Sequence, residues 1–304
     1  MFKIGIVENF HKDGIKLLED HPNFEYEIIA DVSKENLIKE LPKFDGLTLR
    51  VAKLGSDVLS KCKKLKVISR HGVGYDNVDI NHLKKNNITL LITATGNALA
   101  VAEHVLYMML SLSKGVTLYD SEVRSGNFKK NANKIQTYEL YKKEILIAGF
   151  GRIGKNLIKR CLGFDMKVNV FDPFIDESTI KSYGGNKVDN LQTAIKTSDF
   201  VSIHMPLNEK TRNLIDAKIL KTMKSNAIII NTARGGIVNE EDLFQCLKHK
   251  RISSAAFDVL STEPPVNNKL LHLNNFFVTP HIGSSTIQAI NAMGLAAIDG
   301  ILKD

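Results

Sequence analysis

Short apolar runs rich in β-branched residues alternate along the chain with segments whose apolar positions recur every three or four residues. Strands place side chains on alternate faces and helices repeat every ~3.6 residues, so this rhythm reads as strand, helix, strand. Strands are predicted over residues 2–7, 26–29, 46–50, 67–69 and 89–93, with helices over 13–19 and 34–41. Residues 98–113, ALAVAEHVLYMMLSLS, are too long and apolar for a strand and read as a buried helix. Residues 121–136 are polar and irregular, suited to a link between domains. A second series starts at Glu144, with strands over 145–149, 167–171, 200–204, 227–231, 255–258 and 276–279, and a helical pattern over 287–302 closes the chain. Such βαβ steps make parallel sheets covered by helices. The predicted fold class is therefore α/β, with two doubly wound parallel-sheet units.

The second series opens on ILIAGFGRIG, where Gly149, Gly151 and Gly154 form GxGxxG directly after a strand. The glycines permit a tight turn, close approach of backbone to a pyrophosphate and close packing of the following helix, whose N-terminal amides face the phosphates. The next strand ends in Asp172, placed to accept hydrogen bonds from both ribose hydroxyls and to repel a 2′-phosphate. NAD is thus expected in preference to NADP.

Three later segments each set polar groups just after an apolar strand: NTARGG around Arg234, DVLSTEPP from Asp258 through Glu263, and TPHIG around His281. Ligands of doubly wound sheets bind beyond the carboxyl ends of strands, so all three are predicted to face one crevice. Arg234 supplies a planar, permanent cation for a carboxylate and carbonyl. His281 exchanges a proton near neutral pH, and Glu263 suits the other imidazole nitrogen, fixing the tautomer. Taken singly, each has a plainer reading as a surface turn, a loop cap or a loop histidine; their joint placement points to hydride chemistry on a 2-keto or 2-hydroxy acid.

Composition changes this picture little. The chain has 304 residues, 43% apolar and 24% charged, which suits two globular domains. A formal charge of +8 favours a small anionic substrate. The lysines are scattered, with short runs at 61–64 and 142–143 that carry no interleaved aromatics, so no nucleic-acid partner is expected. Cys62, Cys161 and Cys246 form no CxxC, which fits a reducing cytoplasm without zinc or disulfides. The opening apolar run is too short for a signal peptide and no segment is long enough to span a membrane.

With these residues in place, the sequence resembles the D-isomer-specific 2-hydroxyacid dehydrogenases, and within them the phosphoglycerate dehydrogenases. The matching stretches are SRHGVGYDNVDI, VAEH, GFGRIG, HMPLNEKTRNLI, NTARGGIVNE, AAFDVLSTEPP and TPHIGSST. The resemblance implies a Rossmann-type NAD domain (97–286) inserted in a flavodoxin-like substrate domain (1–96 with 287–304), a cleft closing around substrate, and a homodimer through the NAD domain. It aligns Arg234, Glu263 and His281 with the family's arginine, orienting carboxylate and acid/base histidine. It sets the amides of Gly72, Val73 and Gly74 on the substrate carboxylate. Arg152, Ile153, Asp172, His204, Pro206, Thr232, Ala233, Asp258 and Gly283 join the glycines at cofactor-contacting positions. His104 matches a histidine common among relatives, read here as packing.

For a phosphate on the substrate, the resemblance points to Arg50, followed by Val51 where the family usually has serine, and to Lys129 or Lys130 in the linker. Thr95-Gly96-Asn97 lacks the family's usual proline. The chain is expected to be of the short kind, without a serine-sensing C-terminal domain. The implied reaction is oxidation of 3-phosphoglycerate, feeding serine biosynthesis. The alternatives are a general D-2-hydroxyacid reductase acting on glyoxylate, hydroxypyruvate or pyruvate, and a non-enzymatic NAD-sensing corepressor.

Overall fold

The computed structural model describes residues 1–8, 10–93, 96–128 and 136–303. The chain divides into Met1–Ala98 with Ser284–Asp304, and Leu99–Gly283. The first unit runs β1 (Phe2–Val7), α1 (Lys12–Glu19), β2 (Phe24–Ile29), α2 (Lys34–Glu40), β3 (Gly46–Leu49), α3 (Ser56–Leu59), β4 (Val67–Arg70), α4 (Ile80–Lys85) and β5 (Thr89–Ile92). All its strands pair in parallel in the order β2-β1-β3-β4-β5, the flavodoxin-like order. The chain runs outward from β1 to β2 and then returns to β3, so the topological switch lies between β1 and β3. Both faces of β3 are covered, and its four residues are all buried.

The second unit contains α5 (Ala98–Lys114, whose first residue belongs to the other unit), α6 (Val116–Arg124), β6 (Glu144–Ala148), α7 (Arg152–Gly163), β7 (Lys167–Phe171), α8 (Glu177–Ser182), β8 (Asn186–Lys187), α9 (Leu191–Thr197), β9 (Phe200–Ile203), α10 (Ala217–Leu220), β10 (Ile228–Asn231), α11 (Glu240–Lys248), β11 (Ser254–Phe257) and β12 (Phe276–Val278). Its sheet is seven-stranded and parallel, in the order β12-β11-β10-β9-β6-β7-β8. This is the Rossmann order with one added strand, and its switch lies between β6 and β9. Helices cover both faces, leaving one core around Ile229, Phe257 and Leu243 and another around Ile147, Phe150 and Met109.

The last helix, α12 (Ile287–Lys303), belongs to the first unit. Its Ile298 and Ile301 pack with Ile4, Ile6, Leu18 and Val67. Gly14 and Gly294 let α1 and α12 approach closely: a Cβ on Gly14 would stand 3.2 Å from the Gly294 carbonyl oxygen.

The segment after α5 departs from the sequence expectation. Residues 121–124, expected to be irregular, complete α6. Gly115, in the left-handed region at φ 62°, breaks α5 from α6, so the periodicity of neither carries into the other. Lys129, Lys130 and Thr95 lie outside the described residues.

Candidate active site

The glycine loop leaves β6 at the switch point of the larger sheet. Gly149 has φ 104°, and a Cβ there would sit 2.7 Å from backbone atoms of His204. A Cβ on Gly154 would stand 2.6 Å from the Gly149 carbonyl oxygen, so helix α7 seats against the strand only with glycine at that position. Gly151 differs, because nothing lies within 4 Å of its would-be Cβ. It is the N-cap of α7 and offers no capping side chain, so the first-turn amides at Arg152 and Ile153 are set for an external anion. The Asp172 carboxylate accepts hydrogen bonds from the amides of Phe150 (2.7 Å) and Phe174 (2.9 Å), tying the end of β7 to the glycine loop.

Two buried polar atoms near the ends of β9 and β10 have no partner among the described residues: His204 Nδ1 and Thr232 Oγ1. The other His204 nitrogen, Nε2, lies 2.8 Å from Ser202 Oγ. Burial pushes the His204 imidazole down to about 3, so the ring is neutral. Pro206, just beyond, is exposed. An open, uncapped glycine loop, an acid at the next strand end and unpartnered polar atoms along one edge together fit a dinucleotide.

Asn231, wholly buried at the end of β10, shapes the arginine turn. Its Oδ1 accepts from the Ala233 amide (3.0 Å) and its Nδ2 donates to the Arg234 carbonyl (2.8 Å). Arg234 Nη1 donates to the Ala233 carbonyl at 2.6 Å. A Cβ on Gly235 would lie 2.0 Å from the Leu260 carbonyl carbon, so the turn packs directly on the segment leading to Glu263.

His281 Nδ1 lies 2.7 Å from Glu263 Oε2, and Glu263 Oε1 accepts the Leu260 amide at 2.9 Å. The hydrogen bond from Glu263 raises the His281 pKa, burial lowers it, and the attraction of Glu263 makes the net shift upward. Burial pushes the Glu263 carboxyl up, but the bonds from His281 and the Leu260 amide outweigh it and hold the acid ionised. The backbone of His281 is left-handed, at φ 54°. His281 Nε2, with the side chain half exposed, makes no hydrogen bond among the described residues.

Asp258 builds the loop that presents this histidine. It is almost fully buried and accepts from Thr279 Oγ1 (2.5 Å) and the amides of Ile282 and Gly283 (2.8 Å each), while its carbonyl accepts the His281 amide (2.9 Å). Burial pushes its carboxyl up, but the bonds from His104, Thr279 and the two amides bring it below the usual carboxylate range. His104 Nε2 lies 3.0 Å from Thr279 Oγ1 and 3.5 Å from Asp258 Oδ1. His104, expected only to pack, thus belongs to this network. Asn231, Thr279 and Gly235 were not singled out by sequence; for Asn231 and Thr279 a polar residue closing an apolar strand was the available signal.

In the first unit, Arg50 follows β3 and Gly72 follows β4. Gly72, at φ 136°, donates its amide to Thr93 Oγ1 at 2.7 Å, so of the three amides expected to hold a carboxylate this one is already used. Those of Val73 and Gly74 make no hydrogen bond among the described residues. Arg70 braces this loop, donating to the carbonyls of Gly74 (2.6 Å) and Leu49 (3.1 Å). Burial, then the Arg50 charge, depresses the neighbouring His71 to about 4, so the Arg50 charge is felt beside the loop. Gly96 is required by packing: its Cβ would meet the Met293 amide nitrogen at 2.9 Å.

A Rossmann sheet with an open glycine loop and a histidine–carboxylate pair at its strand ends defines a dinucleotide-dependent dehydrogenase site. Residues 106–283 match the profile of the D-isomer specific 2-hydroxyacid dehydrogenase NAD binding domain. The whole chain is 36% identical to D-3-phosphoglycerate dehydrogenase of Methanocaldococcus jannaschii and spans 57% of that relative's length. It is 34% identical, over 100% of this chain and 98% of the other, to hydroxypyruvate reductase of Thermotoga maritima. Among solved structures, D-lactate dehydrogenase from Aquifex aeolicus, complexed with NAD and lactic acid, superposes with a TM-score of 0.87 at 26% identity, covering 98% of this chain and 94% of the other. The chain belongs to the D-isomer specific 2-hydroxyacid dehydrogenase family, and residues 106–283 are its NAD-binding domain.

Proposed function

We propose that this protein is an NAD-dependent oxidoreductase acting at C2 of a D-2-hydroxy acid. The observation that carries the reading is the His281–Glu263 pair at 2.7 Å, with the second imidazole nitrogen left for substrate. In oxidation, His281 Nε2 takes the proton of the C2 hydroxyl, and Glu263 stabilises the imidazolium that results. Arg234 holds the carboxylate and the oxygen at C2, and in the first unit the amides of Val73 and Gly74 are donors suited to a carboxylate. NAD, when bound, supplies the acceptor for the C2 hydride in oxidation and, once reduced, the donor in the reverse direction. The residues that would hold it are Gly151, Arg152 and Ile153 at the pyrophosphate, Asp172 at the ribose, and His204, Pro206, Thr232 and Ala233 beyond β9 and β10. Asp258 and Gly283 act through the histidine loop.

The substrate reading is 3-phosphoglycerate, oxidised to 3-phosphohydroxypyruvate for serine biosynthesis. Arg50 at the switch point of the first sheet supports it, as does the phosphoglycerate dehydrogenase among the relatives. A second reading, reduction of hydroxypyruvate or glyoxylate, is favoured by Glu8, whose carboxylate sits against the Arg50 backbone. A panel of 3-phosphoglycerate, glycerate, lactate and glycolate with NAD, and their keto acids with NADH, separates the two. Under the first reading, Arg50→Ala lowers kcat/KM for the phosphorylated substrate by ~10²-fold, the scale of a charge-assisted phosphate contact, and spares hydroxypyruvate. Equal loss on both refutes it.

The protein acts as a homodimer through the NAD-binding unit, in this reading. Helix α6 buries none of its own side chains, and Leu99, Tyr107, Val116, Leu118 and Val123 on α5 and α6 are exposed apolar residues awaiting a partner surface. Three buried free thiols suit a cytoplasmic setting.

A further inference from the structure

The switch point of the first sheet holds a backbone anion site that the chain fills with its own carboxylate. Glu8 follows β1 and Arg50 follows β3, the two strands that flank the switch. Glu8 Oε2 accepts the amides of three consecutive residues: Arg50 at 3.1 Å, Val51 at 2.7 Å and Ala52 at 3.3 Å. Successive amides converging on one point form a concavity suited to an anion such as a phosphate oxygen. The opposite side of the same turn is clamped by Asn77, whose Nδ2 donates to the carbonyls of Ala52 (2.6 Å) and Arg50 (3.3 Å). Glu8 itself stands in the left-handed region at φ 76°, a conformation uncommon for a non-glycine residue and held by the bond from its amide to the Ile29 carbonyl. A strained residue at a strand end, placing one oxygen on three amides beside the arginine expected to meet the distal end of the substrate, is a built arrangement.

We infer that Glu8 is a specificity-determining residue, an internal anion that occupies the amide cradle beside Arg50 and disfavours a phosphate at the distal end of the substrate. The inference rests on the proposed 2-hydroxyacid reading of the site. It deepens that reading, because the same Arg50 turn serves either a phosphorylated or an uncharged C3 group according to the charge at residue 8. Two consequences oppose one another in Glu8. Its hydrogen bonds order the turn, which helps any substrate. Its charge repels a dianion and leaves a neutral hydroxymethyl group unaffected.

Glu8→Gln separates the two, since the amide keeps an oxygen for the cradle and loses the charge, while Glu8→Asp keeps the charge on a shorter arm. The measurement is the Kd of D-3-phosphoglycerate and of D-glycerate by calorimetry on the full chain with NAD, together with kcat/KM for 3-phosphohydroxypyruvate and hydroxypyruvate. Glu8→Gln is expected to shift both preference ratios toward the phosphorylated ligand by at least about threefold, the scale of one charge acting on a dianion several ångströms away in a half-solvated site. Glu8→Asp should stay within about twofold of the parent, as charge is retained. If Glu8→Gln does not melt cooperatively, Glu8→Ser is held to the same threshold. A binding ratio that moves by less, or a phosphoglycerate that binds neither form, overturns the inference. A parent that binds these acids and turns over none of their keto forms defeats the proposed reaction instead, and the Kd ratio still decides the role of Glu8.

Discussion

His281 adopts a left-handed backbone, and its amide, its neighbours' amides and its ring are all held by carboxylates or carbonyls of the Asp258–Glu263 segment. The ring is therefore aimed by backbone conformation as much as by side-chain packing. Because the bond from Glu263 raises the His281 pKa, the imidazolium that donates a proton in keto-acid reduction persists to higher pH than an ordinary histidine. Reduction should be sustained below that raised value and fall as pH climbs through it, while oxidation, which needs neutral imidazole, rises over the same interval. Glu263→Gln keeps an acceptor and removes the charge, so both limbs of the kcat profile should move to lower pH; an unmoved profile rules out the pairing. His281→Ala should lower kcat by at least ~10²-fold in steady-state assays. Arg234, Glu263 and His281 were legible because each follows an apolar strand within a few residues. Glu8 and Thr279 were not: their partners lie at the end of a neighbouring strand, and a period of apolar residues carries no strand order.

Elements were legible where burial is two-sided. The strands β3, β9 and β10 are fully buried runs and announce themselves as apolar stretches. The two-residue edge strand β8 and the short helices α3 and α4 carry too few positions for a period to register. The glycines of the second unit give contrasting predictions at this scale. Gly235→Ala drives a methyl group into the Leu260 backbone, which cannot rotate away. It should cost about 3 kcal/mol or more, seen as a melting temperature lower by roughly 6 °C or more. Gly151→Ala meets nothing within 4 Å and has a negative φ of −71°, so its melting temperature should stay within about 2 °C of the parent. Its methyl group would protrude where the pyrophosphate approaches, and NADH affinity by fluorescence titration should weaken by about tenfold or more. If Gly151→Ala bound NADH normally, the pyrophosphate would not lie on this loop.

For the molecule as a whole, the two parallel sheets followed from the alternation of strand and helix, whereas the exposed apolar surface of α5 and α6 did not. Residues 98–113 read simply as buried, yet Leu99 and Tyr107 are about half exposed. Alternation marks one covered face of a helix and is silent on whether a second copy covers the other. Sedimentation of the parent should report a dimer, and Leu118→Asp with Val123→Asp should yield a monomer, since two charges in an apolar interface carry a desolvation cost of several kcal/mol. A parent that sediments as a monomer, or a doubly substituted protein that stays dimeric, refutes this surface.

The return of α12 to the first unit has a consequence for synthesis on the ribosome. Every residue of the inserted unit emerges before the helix that covers Ile4, Leu18 and Val67. The NAD-binding unit can therefore complete its core while its host still exposes an apolar sheet face, and the segment made first finishes after the unit inserted in it. A chain stopped at residue 283 should still bind NADH and melt as one small cooperative unit, while protease cuts the preceding 98 residues freely. Equal protease resistance of both units in that truncated chain would mean that the first sheet closes without its final helix. Until α12 emerges, a newly made chain thus needs protection for one sheet face of its first unit, the one that Ile298 and Ile301 eventually cover.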